Sequence, residues 1–196
     1  MDTYKTIEFN SKGLFKDRGS KFLSFSYRVR DEKEIKEILH NLKKEYYDAR
    51  HHCYAYRLGI DKKKFRINDD GEPSNTAGNP IMGQIKSKDL TNILIVVVRY
   101  FGGKLLGVRG LINAYRNASL DAIENTKIIV EIVKTEFKIS FDYLYMNKIM
   151  KIMKDENLKP KDQKFNLKYS FFIKIRKRDE KRIIEKLKKF CEISYL

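Results

Sequence analysis

Hydrophobic and polar positions near the start of the chain predict a strand, a helix and a second strand in succession. Residues 21–29 are rich in aromatic residues, which favour strands. Asp31 can begin a helix, because its side chain accepts a hydrogen bond from a free amide of the first turn. Apolar residues then recur at helical spacing as far as Tyr46. Residues 50–58 alternate between two faces and predict the next strand.

The middle of the chain predicts a polar loop, a buried strand and a long helix. Residues 68–80 consist almost entirely of turn-forming residues, so we expect a loop there. Residues 93–98 are apolar at every position, which indicates a strand that is covered on both faces. A helix is predicted over 107–124, with Arg109 and Arg116 on its polar face. Its expected buried stripe comprises Val108, Leu111, Ile112, Tyr115 and Ala122.

Beyond residue 125 the pattern changes and predicts a second domain. Alternating strands and two apolar helical stripes follow one another in the order β-α-β-β-α-β, which is the ferredoxin-like order. The predicted fold class is α+β, with an N-terminal domain over residues 1–133 and a ferredoxin-like domain over residues 134–196. The four strands expected in the second domain cover residues 136–141, 158–165, 167–176 and 192–196.

Composition indicates a folded protein without a disulfide framework. Hydrophobic residues make up 42% of the chain, and the two cysteines, Cys53 and Cys191, have no paired spacing. The first residues lack the apolar segment of a signal peptide. The longest apolar run, residues 93–98, is far shorter than a bilayer requires. We therefore expect a cytoplasmic protein that does not bind a membrane.

The formal net charge of +16 favours polyanionic partners such as RNA. Residues 127–196 hold 19 Lys and Arg against 10 Asp and Glu, so the positive charge is denser toward the C-terminus. Lys168, Phe172, Lys174 and Arg176 are candidate nucleic-acid-binding residues, because the predicted sheet presents basic residues and an aromatic ring together. The alternative is that these charges form an ordinary solvated surface.

Two segments, residues 69–78 and 99–110, concentrate the residues that suggest chemistry. The second runs from the buried strand through paired glycines into the predicted helix, a geometry that aims free amides and the positive helix end at an anion. The alternative is that the glycines only allow tight turns, while acids of the first segment pair with arginines of the second. The candidate anion-binding residues are Arg50, His51, His52, Asp69, Asp70, Glu72, Ser74, Thr76, Arg99, Tyr100, Gly102, Gly103, Gly107, Arg109 and Arg116.

These segments closely resemble motifs of the YigZ/IMPACT family. Residues 69–80 read Asp-Asp-Gly-Glu-Pro-Ser-Asn-Thr-Ala-Gly-Asn-Pro, and residues 99–103 read Arg-Tyr-Phe-Gly-Gly. Residues 50–56 and 18–22 match two further motifs in the same order. Asn75 stands where many family members have Gly, and Asn tolerates the positive φ that such a turn requires.

The resemblance implies a two-domain fold and a function connected with translation. It implies an N-terminal β-α-β domain like the second domain of a small-subunit ribosomal protein, and a C-terminal domain similar to the last domain of elongation factor G. Eukaryotic members of the family regulate translation under stress by binding the activator of an initiation-factor kinase. Bacterial two-domain members look like nucleic-acid-binding or ribosome-associated proteins. The resemblance therefore implies a regulatory binding protein whose partner is RNA, the ribosome or a translation-related protein.

The residues themselves give little support to a metal centre or a nucleophilic site. His51, His52 and Cys53 are adjacent, so a strand would send His52 to the opposite face from the other two. We predict no metal and no cofactor, because too few further ligands lie nearby in the sequence. Ser74 and Thr76 have no neighbouring base that would make either a nucleophile.

Two alternatives to an RNA- or ribosome-binding regulator stay open. One is an enzyme that acts on a phosphorylated small molecule or nucleotide, with Asp69 or Asp70 as a base or Mg²⁺ ligand. The other is a module that binds only protein and docks on a translation factor. In that case Arg109 and Arg116 would not be needed for partner binding.

Overall fold

Eleven strands and five α-helices lie within residues 2–195, the part of the chain that the computed structural model describes. The strands are β1 (Thr3–Ile7), β2 (Ser11–Asp17), β3 (Ser20–Arg28), β4 (His51–Leu58), β5 (Lys64–Asn68), β6 (Ile93–Tyr100), β7 (Ile128–Ile132), β8 (Lys134–Phe141), β9 (Lys161–Phe165), β10 (Tyr169–Arg176) and β11 (Glu192–Tyr195). The α-helices are α1 (Glu32–Glu45), α2 (Gly78–Ser87), α3 (Gly107–Glu124), α4 (Met146–Asp155) and α5 (Glu180–Leu187).

Contacts between Cα atoms divide the chain into two units. The N-terminal unit is Tyr4–Glu131, and the C-terminal unit contains Ile132 onward together with Asp2 and Thr3. β1 and β7 pair in a two-stranded sheet. The division falls after Thr3, the first residue of β1, and before Ile132, the last residue of β7.

The N-terminal unit is built on a five-stranded antiparallel sheet in the order β2-β3-β6-β4-β5. β6 lies at its centre, and every residue of this strand except Tyr100 is buried. The cause is that α2 and α3 cover one face of the sheet while α1 covers the other. The prediction of a strand covered on both faces is therefore confirmed, since an all-apolar strand is stable only where neither face meets water.

The start of α1 confirms the predicted cap. The Asp31 carboxylate accepts a hydrogen bond from the Glu34 amide at 2.9 Å, which satisfies one of the free amides of the first turn. The Glu34 side chain in turn accepts a hydrogen bond from the Arg30 amide at 2.9 Å. Ile35 and Leu42 are the buried residues of the helix and pack against the sheet.

The loop predicted over 68–80 is shorter than expected, because β5 ends at Asn68 and α2 begins at Gly78. An Asp69 carboxylate oxygen accepts hydrogen bonds from the Ala77 and Gly78 amides at 3.0 and 2.8 Å and so stabilises the helix start. Pro80 lies in the first turn, where its missing amide hydrogen removes no helical hydrogen bond. This cap lies too far back along the chain for a local pattern to show it.

The buried stripe of α3 differs from the predicted one at two positions. Val108 is 57% exposed and Ile112 is only partly buried, whereas Ala114 and Ala118 are fully buried against the sheet. The prediction favoured large apolar side chains. The close approach of helix and sheet requires small ones at the centre of the contact, so those two expectations were wrong.

The C-terminal unit has the ferredoxin-like order that the sequence predicts. Its antiparallel sheet has the order β11-β8-β10-β9, and α4 and α5 pack on one face through residues such as Ile149 and Leu187. Leu167 is an exception to the predicted strand pattern, because it is fully exposed ahead of β10. That strand begins at Tyr169, opposite Phe141 at the end of β8, so Leu167 has no partner strand residue.

Candidate functional site

A cavity of about 520 Å³ lies in the N-terminal unit, between the loop that joins β5 to α2 and the turn that joins β6 to α3. The two segments that the sequence singles out therefore share one cavity. Its walls combine four charged or titratable side chains with a larger number of apolar ones. The lining residues are Arg50, His51, Gly71, Glu72, Pro73, Arg99, Phe101, Leu105, Leu106, Gly107, Val108 and Leu111.

The floor of the cavity is a buried network of hydrogen bonds centred on Glu72. The Glu72 carboxylate accepts hydrogen bonds from the Arg99 guanidinium at 2.6 Å and from the Tyr115 hydroxyl at 2.7 Å. The Cys53 thiol lies 3.3 Å from the same hydroxyl. Burial raises the pKa of Tyr115 and the pKa of Cys53, so both groups stay protonated and act as neutral hydrogen-bonding groups.

Arg99 lies between the buried network and the aromatic side chains around it. Its guanidinium carbon is 5.4 Å from the centre of the Phe22 ring and 5.8 Å from that of the Phe101 ring, which are distances for cation–π attraction. Its Nε atom is buried and has no hydrogen-bond partner among the described residues. Because a guanidinium has five N–H donors, the bond with Glu72 leaves part of its capacity unused.

His51 and Arg50 bring two further polar groups to the cavity from the start of β4. His51 Nδ1 lies 2.8 Å from the Asp70 carbonyl oxygen, so this nitrogen carries the hydrogen of that bond. His51 Nε2 is 3.9 Å from a Glu72 carboxylate oxygen. Arg50 is exposed at the edge of the cavity.

The other side of the cavity is apolar and leads to the start of α3. Phe101, Leu105 and Val108 are largely exposed there, while Leu106 and Leu111 are buried beneath them. Leu106 occupies the N-cap position without a capping side chain, and the first turn of α3 contains no acidic residue. These apolar walls were not predicted from the sequence. Four of the five residues lie within the segment 99–110, but their side chains carry no charge that would mark them as part of an anion site.

The acids of the loop have structural partners of their own. Besides capping α2, the Asp69 carboxylate accepts a hydrogen bond from the Asn75 amide at 2.9 Å. The Asp70 carboxylate accepts one from the His52 amide at 2.7 Å and lies 3.4 Å from the Lys43 ammonium. Asn75 has φ 67°, which confirms that Asn tolerates the turn conformation.

Ser74 and Thr76 also belong to the structure of this loop. Thr76 is buried, and its hydroxyl donates a hydrogen bond to the Pro73 carbonyl at 2.7 Å. Ser74 is exposed, and neither residue lines the cavity.

The glycines of the turn after β6 position the backbone closely. A Cβ atom on Gly102 would lie 1.9 Å from the Gly19 carbonyl carbon, so only glycine fits there. Gly103 and Gly107 have φ 82° and 69°, and Gly107 lines the cavity as the first residue of α3. The left-handed conformation of Gly107 turns the chain into the helix without steric cost.

Several predicted residues lie outside the cavity. Tyr100 points to the other face of the sheet, where its hydroxyl donates a hydrogen bond to Asp48 at 2.8 Å. His52 is buried next to His51 in β4, and burial lowers its pKa. Arg109 and Arg116 are exposed and are not among the lining residues.

Comparison with known proteins assigns the chain to a family. The family model described as the Impact N-terminal domain matches residues 18–123, more than half of the chain. The chain belongs to the IMPACT family. The IMPACT family member YvyE of Bacillus subtilis is 33% identical over 149 residues, which cover 76% of this chain and 69% of YvyE.

Two further comparisons bear on the IMPACT family and on the fold. The IMPACT family member YigZ of Escherichia coli is 33% identical over 126 residues, which cover 63% of this chain and 62% of YigZ. The matched segment thus spans less than two thirds of that relative. A crystal structure of a hypothetical protein has a TM-score of 0.75, with 23% identity, and the match covers all of this chain and 98% of the other. This likeness shows a shared fold.

In this IMPACT protein, each cation predicted to contact nucleic acid has an acidic neighbour. Lys168 lies 2.7 Å from Glu192, and Lys174 lies 3.7 Å from Glu136. Arg176 contacts Asp2 at 2.5 Å. Phe172 lies half-buried on the open face of the sheet, on the same strand as the last two cations. The open sheet face is thus closer to neutral than its lysines and arginines alone suggest.

Within residues 2–195 of this IMPACT protein, no group of three or more His, Cys, Asp and Glu side chains has the arrangement of a metal site. No helix in the same range has the length and apolar character needed to cross a bilayer.

Proposed function

We propose that this protein regulates translation as a binding protein, and that its C-terminal unit attaches to RNA, either free or within the ribosome. The resemblance to the IMPACT family supports the link with translation. The density of positive charge supports an RNA partner, because residues 127–196 hold 19 basic against 10 acidic side chains.

The chemistry of the N-terminal cavity supports binding rather than catalysis. The Glu72 carboxylate is held by Arg99 and Tyr115, so it is poorly placed to take a proton from a substrate. Asp69 and Asp70 accept hydrogen bonds from backbone amides of their own unit. An enzyme that used these acids as a base or Mg²⁺ ligand would first have to break those bonds.

The best support for an RNA contact comes from one end of the C-terminal unit, which we name the loop end: residues 142–145, 166–168 and 188–191. These loops are neighbours because β8 ends opposite the start of β10, and because residues of all three line a cavity of about 180 Å³. Tyr143, Leu144 and Leu167 are among the most exposed large side chains of the chain. Lys188 and Lys189 are exposed and line this cavity together with Tyr145 and Lys168.

The loop end suits single-stranded RNA better than the open sheet face does. Exposed aromatic side chains such as Tyr143 stack with bases, and each stacked base contributes about 1–3 kcal/mol. Lys188 and Lys189 form no ion pair among the described residues, whereas Lys174 and Arg176 on the open sheet face each have an acid within 4 Å. Unpaired lysines neutralise phosphates without first losing a protein partner.

The test is the affinity of the protein for a fluorescein-labelled 12-nucleotide oligouridine, measured by anisotropy from 50 to 300 mM KCl. If about four phosphates are neutralised, log affinity should fall with log salt at a slope near −3. Lys188→Glu combined with Lys189→Glu should weaken binding at least tenfold at 100 mM KCl. Sedimentation with ribosomes should show the same loss.

A matched control comes from the opposite end of the same unit. Lys154→Glu combined with Lys181→Glu changes the net charge by the same amount at two exposed positions, the end of α4 and the start of α5. This variant should lose less than threefold in affinity. Absence of binding by the unaltered protein to both oligouridine and ribosomes would overturn the proposal. Equal losses in the two variants would attribute binding to net charge alone.

A further inference from the structure

The cavity of the N-terminal unit combines a helix start that no side chain caps with a buried arginine whose Nε has no hydrogen-bond partner among the described residues. We propose that this cavity is a binding site for an organic monoanion, a carboxylate carried on an apolar body. The site is separate from the RNA contact proposed for the loop end, and it does not depend on it. Three observations support it: the start of α3 has no capping side chain, the buried Nε of Arg99 has no partner among the described residues, and the walls are apolar.

The start of α3 is available to an anion. The helix has 18 residues, so its aligned peptide dipoles place a partial positive charge of about half a unit at its first turn. No side chain caps it, and the first turn has no acidic residue that would neutralise it. Leu106, Gly107 and Val108 at this start all line the cavity. A carboxylate in the cavity would therefore supply the cap that the sequence omits.

Arg99 provides the second, independent indication. Its side chain is only 7% exposed, yet it lines the cavity and its buried Nε has no partner. A buried donor without a partner is destabilising, so native proteins rarely keep one without a reason. A carboxylate beside the guanidinium would engage the donors that Glu72 leaves free, and guanidinium–carboxylate pairs are often bidentate.

The charges around the cavity favour a single negative charge. Glu72 already neutralises Arg99, which leaves the exposed Arg50 and the start of α3 as the positive groups of the cavity without an acidic partner among the described residues. Together these match a carboxylate better than a doubly charged phosphate.

The walls define the rest of the ligand. Phe101, Leu105 and Val108 are exposed large apolar side chains beside the polar floor, and Leu111 closes the cavity beneath them. A volume of about 520 Å³ falls within the range of small-ligand pockets, which are mostly apolar with a few placed polar groups. The ligand therefore has an aliphatic or aromatic body next to its carboxylate. A free organic acid and the C-terminus of a protein with an apolar last residue both provide this chemistry.

The test compares acids with neutral isosteres. Titrations followed by amide NMR shifts would use sodium octanoate and octan-1-ol, and the peptide acetyl-Gly-Leu-Phe with a free or an amidated C-terminus. We expect saturable shifts at the Gly107 and Val108 amides with at least one acid, and at least tenfold weaker binding of its neutral counterpart. Tighter binding of octanoate identifies a free acid as the source of the chemistry, and tighter binding of the peptide acid identifies a protein C-terminus.

Substitutions at exposed residues should leave the fold intact, which circular dichroism can verify. Arg50→Ala should weaken binding of the acid at least fivefold and leave binding of the neutral isostere unchanged, because it removes charge at the cavity edge. Arg116→Ala, an exposed arginine outside the cavity, is the matched control and should have no effect. Val108→Trp should block both acids by filling the cavity, whereas Val130→Trp, at an exposed valine of β7, should not.

Three outcomes would overturn the inference. Neutral isosteres that bind as tightly as the acids would show that the charged groups play no part. Absence of saturable shifts up to 10 mM of either acid would show that the cavity is not a site for this class. Equal effects of Arg50→Ala and Arg116→Ala would place any binding elsewhere on the surface.

Discussion

The Arg99 guanidinium lies 2.6 Å from the Glu72 carboxylate, and the two side chains are only 7% and 3% exposed. A buried ion pair of this kind gains little over well-packed apolar residues of similar size, because both charges must leave water. Losing one partner is different, since an unpaired charge then stays in the protein interior. The pair joins the loop after β5 to the central strand, so its integrity determines the shape of the cavity.

Single replacements in this pair should therefore be much more costly than the double replacement. We expect Glu72→Leu to lower the free energy of unfolding by about 3–5 kcal/mol, because Arg99 would be left buried without its acid. Glu72→Leu combined with Arg99→Met should lose less than the sum of the two single variants, with a coupling of about 1–3 kcal/mol. Urea unfolding at pH 7, followed by circular dichroism, measures all four proteins.

An exposed pair serves as the control for this cycle. Lys168 and Glu192 lie 2.7 Å apart with both side chains well exposed, so Glu192→Ala should change stability by less than about 1 kcal/mol. If Glu72→Leu were as mild as Glu192→Ala, the buried pair would not hold the floor of the cavity together.

The turn after β6 depends on glycine at one position far more than at its neighbours. The backbones of Gly19 and Gly102 approach so closely that a Cβ atom on Gly102 would overlap the Gly19 carbonyl carbon and the Ser20 nitrogen, at 1.9 and 2.1 Å. Gly102→Ala should therefore displace the turn and lower the free energy of unfolding by more than about 3 kcal/mol, since backbone cannot move aside cheaply. Thermal and urea unfolding measure the loss.

The same substitution at Gly83 should have the opposite sign. Gly83 lies within α2, and a Cβ atom there would meet nothing within 4 Å. Gly83→Ala should raise the free energy of unfolding by about 0.5–1 kcal/mol, because alanine has less conformational freedom in the unfolded chain and favours helices. A comparable loss in both variants would contradict the close backbone contact at Gly102.

The elements that could be predicted from the sequence are those whose signal is local. The apolar run 93–98 and the helical spacing of 107–124 repeat over enough residues to fix the type of both elements and the extent of α3, while β6 extends two residues further, to Tyr100. The start of α2 could not be predicted in this way. Its cap, Asp69, lies eight and nine positions before the amides that it accepts from, and only the folded loop brings them together.

The candidate site, too, could be predicted from the sequence only in part. The motif segments correctly indicated that 69–78 and 99–110 share a cavity, since Glu72 and Arg99 meet there. Which side of α3 faces that cavity depends on how Ala114 and Ala118 pack against the sheet, and no spacing rule contains that information. Arg109 and Arg116 consequently lie outside the cavity even though they belong to the right helix.

The cap at the start of α2 gives a third prediction. Asp69 accepts hydrogen bonds from three amides, those of Asn75, Ala77 and Gly78. Asp69→Ala should lower the free energy of unfolding by about 2–3 kcal/mol, because helix caps contribute about 1–2 kcal/mol and a further loop amide also loses its partner. Asp69→Asn should lose less than half of this, since it keeps the acceptor for the helix amides. Urea unfolding provides the values.

Glu37→Ala is a suitable control for the cap. Glu37 is an exposed acid on α1 and forms no side-chain hydrogen bond among the described residues, so its removal should change stability by less than about 0.5 kcal/mol. Equal stabilities of Asp69→Ala and Glu37→Ala would mean that Asp69 does not hold the loop.

His52 should make the stability of the N-terminal unit depend on pH. It is buried, and burial lowers its pKa below the ordinary value near 6.5, more than the nearby Asp70 carboxylate raises it. Below about pH 6.5 the unfolded chain therefore binds a proton at His52 that the folded protein does not. Stability must fall as the pH drops, by up to about 1.4 kcal/mol per pH unit, and must level off above pH 7.

Two histidine variants separate this contribution from the rest of the titration. His52→Gln should reduce the difference in free energy of unfolding between pH 7 and pH 5. His40→Gln, at an exposed histidine on α1, should leave that difference unchanged. Urea unfolding at half-unit steps of pH provides both comparisons. If stability instead rose on acidification and His52→Gln abolished the rise, His52 would have to be charged in the folded protein and paired with Asp70, 4.0 Å away.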